Sequence, residues 1–282
     1  KGKFIYEKPN FNYSDNSLFT SISSTTTDNL TDFGYKTSEI SASVGTSFEQ
    51  YENLFFRPEI DISYEKLQTT EAASTKIKKQ KGNYLDAYFK YSLDFDVRNK
   101  RYKPDEGFRH TFLQEIPMAS DIYELTNSFE SSRYQKISSM VTKLTFYGKA
   151  VNTFNSEDVR ISKRLYMPGN RLRGFEPGKI GPIENNDYVG GNYISAVNFH
   201  ATLPNLLPSF QNLDVSFFFD AANVWGVDYN SSIDKSKIRS STGIAMQILT
   251  PIGPLNFSLA QPITKASTDK TESFRFNLGT TF

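Results

Sequence analysis

Few residues in this chain are of a type and spacing that could do chemistry. Its 282 residues include no cysteine and only two histidines, His110 and His200. Thiolate catalysis, disulfides and cysteine metal sites are therefore excluded, and no histidine-rich metal centre is expected. Serines are plentiful, but none stands in a nucleophile elbow, and neither histidine has a triad-like or metal-like setting. Asp94 and Asp96 are two apart, which on a strand places both carboxylates on one face as a lining rather than as an acid–base pair. The basic run Lys76–Lys81 reads as a solvated loop. What remains is Arg164–Phe175, with its arginines and aromatics, a Pro168-Gly169 turn, and an Arg173-Gly174-Phe175 corner whose glycine suits a backbone of positive φ. A guanidinium there can grip a carboxylate with two parallel hydrogen bonds, which gives direction as well as attraction. The expectation is a binding or structural loop, with no catalytic residue, no cofactor and no metal; the chain does not read as an enzyme.

That stretch lies in a connection of roughly thirty residues, 155–188, and loops so long inside a compact fold are usually functional or disordered. Its aromatics and turns argue against disorder. Elsewhere the connections are mostly short. The formal net charge is +1 with both signs interspersed, so no nucleic-acid footprint is present. No run approaches the roughly 20 apolar residues of a transmembrane helix. Yet 24 Phe and 16 Tyr in a chain only 38% hydrophobic fall at every second position, as in strands with one apolar face.

The strands expected from this alternation are Gly2–Phe11, Leu18–Thr27, Thr37–Phe48, Leu54–Leu67, Tyr84–Val97, Phe108–Ile116, Phe129–Ser138 and Lys143–Phe154. After the long loop come Val189–Leu203, Leu213–Trp225, Ile238–Thr250, Pro254–Ile263 and Ser273–Phe282. No convincing helix is seen. Tyr84–Val97 decides the class. One face is Leu85, Ala87, Phe89, Tyr91, Leu93, Phe95 and Val97; the other carries Asp86, Lys90, Asp94 and Asp96. Such charges would be costly in a dry core but are at ease in a water-filled lumen, while the apolar face meets lipid. The fold class is thus all-β, an antiparallel transmembrane β-barrel. Bacterial single-chain barrels have even strand numbers, and an open edge cannot face hydrocarbon, so a count of about 13 implies further strands before the first one seen.

Four stretches in order resemble the C-terminal barrel of the BamA family, within the superfamily that includes mitochondrial Sam and chloroplast Toc barrels. They are Leu172-Arg173-Gly174-Phe175 with Ile180-Gly181-Pro182, similar to the family's loop-six signature; Val189-Gly190-Gly191-Asn192, similar to its strand-twelve opening; Phe217-Phe218-Phe219-Asp220 through Val224-Trp225, similar to its strand-thirteen motif; and Pro251–Pro262 with the closing Phe274–Phe282. Asp96–Asn99 through Gly107 fits the turn between strands eight and nine. Three positions depart from the pattern. The family usually has a β-branched residue at Leu172, a glycine at Ala222 and, in close relatives, an acid at His200.

The resemblance implies an N-terminally truncated single domain, 1–282, of about 16 strands when whole, lacking POTRA domains and about three strands, with loop six folded into the lumen. It implies that Arg173 pairs there with Asp220, with His200 as a possible neighbour. Alternation agrees, because Phe217 and Phe219 on the lipid side put Phe218 and Asp220 inside. Phe274, Phe276, Leu278 and Phe282 resemble the β-signal that marks outer-membrane barrels. The implied role is folding and insertion of β-barrels into the bacterial outer membrane. The expected partners are unfolded outer-membrane proteins, membrane lipid and lipopolysaccharide, and assembly lipoproteins reached mainly through POTRA domains; nucleic acid is not among them. The alternatives are a TamA-like assembly or two-partner-secretion pore, and a passive porin-like channel.

Overall fold

A computed structural model describes every residue except 156, 205–211, 235, 252 and 280–282. Thirteen long strands form one antiparallel sheet in which each pairs with its neighbour along the chain. They are β1 Gly2–Lys8, β2 Ser17–Asn29, β3 Tyr35–Tyr51, β4 Leu54–Thr69, β5 Gly82–Asp96, β6 Gly107–Ala119, β7 Glu124–Ile137, β8 Met140–Thr153, β11 Tyr193–Thr202, β12 Leu213–Trp225, β13 Arg239–Thr250, β14 Gly253–Thr264 and β15 Phe274–Leu278. A two-residue hairpin, β9 Ile183–Glu184 with β10 Asp187–Tyr188, lies inside the long loop. Among the described residues β1 and β15 are the sheet's edges and do not pair with each other.

The sheet is inside out by the standard of a soluble protein. Ile60, Ile62, Leu85, Phe146, Val197, Phe199, Phe217 and Phe219 are exposed, whereas Asp61, Ser63, Glu65, Asp86, Ser132, Thr145 and Asp220 are buried. Charges on the inner face find partners there. Lys90 meets Asp61 at 2.8 Å, and Arg109 clasps Asp94 with two hydrogen bonds of 2.7 Å. Asp96 is taken by Arg98, so the two aspartates that share a face line the lumen through separate partners. On the outer face a ladder of rings, Phe48–Phe56–Tyr91–Phe112 and Phe95–His110–Phe129–Phe146, crosses β3 to β8, the aromatic dress of a membrane-spanning sheet.

The expected strands are all present, but several boundaries move. β7 starts at Glu124, five residues before Phe129, because Glu124 points inward and is held by an arginine of the long loop. β11 starts at Tyr193 rather than Val189, because Val189 and Gly191 bond to Pro182 and Leu165 of the loop instead of to the neighbouring strands. Two short helices stand where none was expected: α1, Leu30–Phe33, and α2, Thr75–Lys79. α2 is capped by Ser74, whose hydroxyl accepts from the Ile77 amide, and buries Ile77. The basic run is therefore helical over Lys76–Lys79, with its lysines on the solvent side of an anchored turn.

Candidate functional site: the loop in the lumen

The connection between β8 and β11 covers residues 154–192, starting one residue earlier and ending four later than expected. It lies inside the barrel and is fastened by four arginines, each to a different part of the wall. Arg160, fully buried, donates from Nη2 to Asp86 of β5 at 2.7 Å and to Glu124 of β7 at 2.8 Å, with its guanidinium 4.5 Å from the centre of the Tyr84 ring. Arg164 bonds Asp228 in the turn after β12. Arg171 bonds Glu130 of β7 and lies 4.6 Å from the centre of the Tyr147 ring.

Arg173 makes the most complete contact. Its Nε and Nη2 donate to the two oxygens of Asp220 on β12, both at 2.8 Å, and its backbone N–H donates to the same carboxylate at 3.1 Å. The guanidinium stacks 3.6 Å above the centre of the Phe218 ring. Phe217 and Phe219 are 51% and 41% exposed while Phe218 and Asp220 are 2% and 0%, so the alternation places the acceptor in the lumen as expected. Forked geometry and desolvation make this a pair whose breaking leaves a buried unpaired charge.

The expected neighbour is only partly right. His200 bonds Ser216 Oγ at 2.7 Å. The side chain that joins the pair is Asn198, two positions earlier on β11, which donates to Asp220 Oδ1 and to the Arg171 carbonyl, both at 2.8 Å. Asn198 stands directly across from Asp220 in the β11–β12 register, a fact available only once register is known.

Loop geometry explains the rest of the motif. Gly174 has φ +88, and a Cβ there would lie 3.2 Å from both Ser241 and Ala260, so a side chain would be strained and crowded. Leu172 and Phe175 are buried in a cluster with Val151, Ile180, Ile194 and Val224. Ala222, another departure from the family pattern besides Leu172, belongs to the same cluster. Gly191 exchanges both backbone hydrogen bonds with Leu165, and a Cβ on it would fall 2.3 Å from the Trp225 carbonyl. Asn192 donates to Asp228 at 3.1 Å. Burial works against the Asp228 charge, but Arg164, the Val159 amide and Asn192 outweigh it and hold its carboxyl below the usual range. Asp187 has no such help, and burial pushes its carboxyl up.

Among the described residues the closing strand is Phe274–Leu278, shorter than the expected Ser273–Phe282. Phe274, Phe276 and Leu278 face outward and exposed; Phe282 lies outside the described residues. Sequence reasoning missed Arg160, Arg164 and Arg171 as anchors. Their signal was the surplus of arginines in a loop opposite inward acids.

The chain matches the Omp85 superfamily domain over residues 1–282. It belongs to the Omp85 superfamily. Among Omp85 relatives, the outer membrane protein assembly factor BamA of Neorickettsia risticii is 23% identical over 256 residues, 88% of this chain and 34% of that protein. BamA of Neisseria meningitidis serogroup B is 33% identical over 141 residues, 39% of this chain and 17% of that protein. The human sorting and assembly machinery component 50 homolog is 27% identical over 181 residues, 60% of this chain and 38% of that protein. The crystal structure of Haemophilus ducreyi BamA lacking POTRA domains 1–3 superposes with TM-score 0.85 at 25% identity, covering 97% of this chain and 60% of that one. CdiB from Acinetobacter baumannii shares the fold, with TM-score 0.56 at 10% identity over 93% of this chain and 46% of that one. The chain thus spans about a third of the length of the first curated Omp85 relative it matches. Its place is the bacterial outer membrane.

Proposed function

We propose that this chain is the membrane-embedded barrel of an outer-membrane protein assembly factor, which folds and inserts other β-barrels without nucleotide or catalytic residues. The observation that carries the reading is the loop locked into the lumen by Arg173 and Asp220, in a chain similar along its length to BamA. A passive porin needs an open aqueous lumen, and this loop fills it. The likeness to CdiB is one of fold and gives the secretion-pore reading less support. On this reading residues 1–282 act as one barrel domain with loop six as its internal brace. Its substrates are unfolded outer-membrane proteins, and its surroundings are outer-membrane lipid and lipopolysaccharide, with the α2 lysines at the extracellular rim. Assembly lipoproteins bind mainly through POTRA domains of the whole protein. A weakly paired seam would template incoming strands by β-augmentation. The test is depletion of the whole protein in its own cell, followed by heat-modifiability of other outer-membrane barrels. Unfolded barrels should accumulate, and normal assembly would overturn the proposal.

A further inference from the structure

Besides the four arginines that loop six itself supplies, one arginine of the wall reaches into the loop, and it lies on an edge strand. With Phe274 and Phe276 facing outward, Arg275 of β15 points into the lumen. Its Nη1 donates to the Gly169 carbonyl at 2.6 Å and its Nη2 to the Phe175 carbonyl at 2.5 Å. Glu272 holds the same guanidinium from the other side, accepting from Nε at 2.9 Å and Nη2 at 2.6 Å. The chain just before β15 runs antiparallel to the loop tip: Glu272 N–H donates to the Gly174 carbonyl, Glu176 N–H to Lys270, and Lys270 N–H to Lys179. Residues 173–176 therefore bond to β12 through Asp220 and to β15 through Arg275 at the same time.

Gly169 records how close this contact is. A Cβ there would lie 2.3 Å from Arg275 Nη1, so the loop presents a carbonyl to the guanidinium only because that position has no side chain. Among the described residues β15 has only five residues in register with a neighbouring strand, all on β14. A tie from its inner face to a braced loop is then a large part of what holds it. Arg275 spreads its donors over three nitrogens and so reaches both carbonyls and Glu272 at once, which the single nitrogen of a lysine does less well.

We propose that Arg275 is a positioning residue that couples loop six to β15, so that the strand frees its edge only when the loop releases the guanidinium. The coupling is a property of the sheet and holds whether or not the chain inserts other barrels. It is tested by hydrogen exchange of the whole protein in lipid vesicles, comparing the parent with Arg275→Ala, Arg275→Lys and Gly169→Ala. Arg275→Ala should speed exchange of the β15 amides about tenfold, with β3–β5 unchanged and Arg275→Lys between it and the parent. Gly169→Ala leaves β15 itself untouched and crowds only the flexible end of Arg275 and the Pro177 ring within the same loop, so the barrel still folds; it should speed the same amides. A merely local role for Arg275 would show no effect of Gly169→Ala on β15. Parent-like exchange of β15 in either Arg275→Ala or Gly169→Ala overturns the proposal.

Discussion

Along β11–β14 several inward side chains are small, and loop six lies directly on them: Ala196, Ala222, Ser241 and Ala260 are all buried. Along β3–β6 many inward side chains are charged, and the loop reaches them only through single side chains, Arg160 to Asp86, Ser162 to Glu65 and Lys163 to Glu39, beside a polar cavity of about 220 Å³ lined by Glu39, Asp61, Lys90, Glu115 and Lys163. Small residues let backbones come close, so one wall fixes the loop by contact and by direct hydrogen bonds. The charged wall leaves room for water, which can rearrange at little cost. One barrel thus contains a close-packed seat and a wet gap.

Three substitutions probe that contrast. Asp220→Ala should cost the most, about 3–5 kcal/mol, because it strands the buried Arg173 guanidinium. Equilibrium unfolding in detergent micelles reads this, and a loss below about 1 kcal/mol would mean that the rest of the seat holds the loop alone. Gly191→Ala comes next, at about 1–3 kcal/mol, since its Cβ must push the Trp225 carbonyl away. Parent-like stability in the same assay would show slack where the loop returns to β11. Lys90→Gln on the wet wall should cost under about 1 kcal/mol, as its bridge to Asp61 borders a hydrated space. If it proved worse than Gly191→Ala, the two walls would have to exchange roles.

Period-two alternation told which side chains face lipid and which face the lumen, and that was enough for the class, the strand set and the inward placement of Asp220. It could not tell which inward residue meets which. Asn198 rather than His200 touches Asp220 because of register across β11 and β12, and Glu124 starts β7 early because Arg160 holds it from 36 residues away. The helix at Thr75–Lys79 was hidden for another reason. Its single buried side chain, Ile77, gives too little periodicity to stand out from a basic loop. The Arg173–Asp220 pair itself came from resemblance, with alternation supporting only one of its two partners.

The spacing of the loop's anchors also bears on the order in which the molecule can form. Arg160 reaches back 74 residues to Asp86, Arg173 forward 47 to Asp220, and Gly169 is met by Arg275 from 106 residues further along. None of these closures is local, and each requires strands that are themselves already paired. Arg160 and Arg171 can find their acids once β5 and β7 have formed, but until β12 and β15 are in place Arg173 has no Asp220 to grip and Gly169 no Arg275 to meet it. Seating of the plug is therefore a late event, and a seated plug is the sign that the wall around it is complete from β5 to β15.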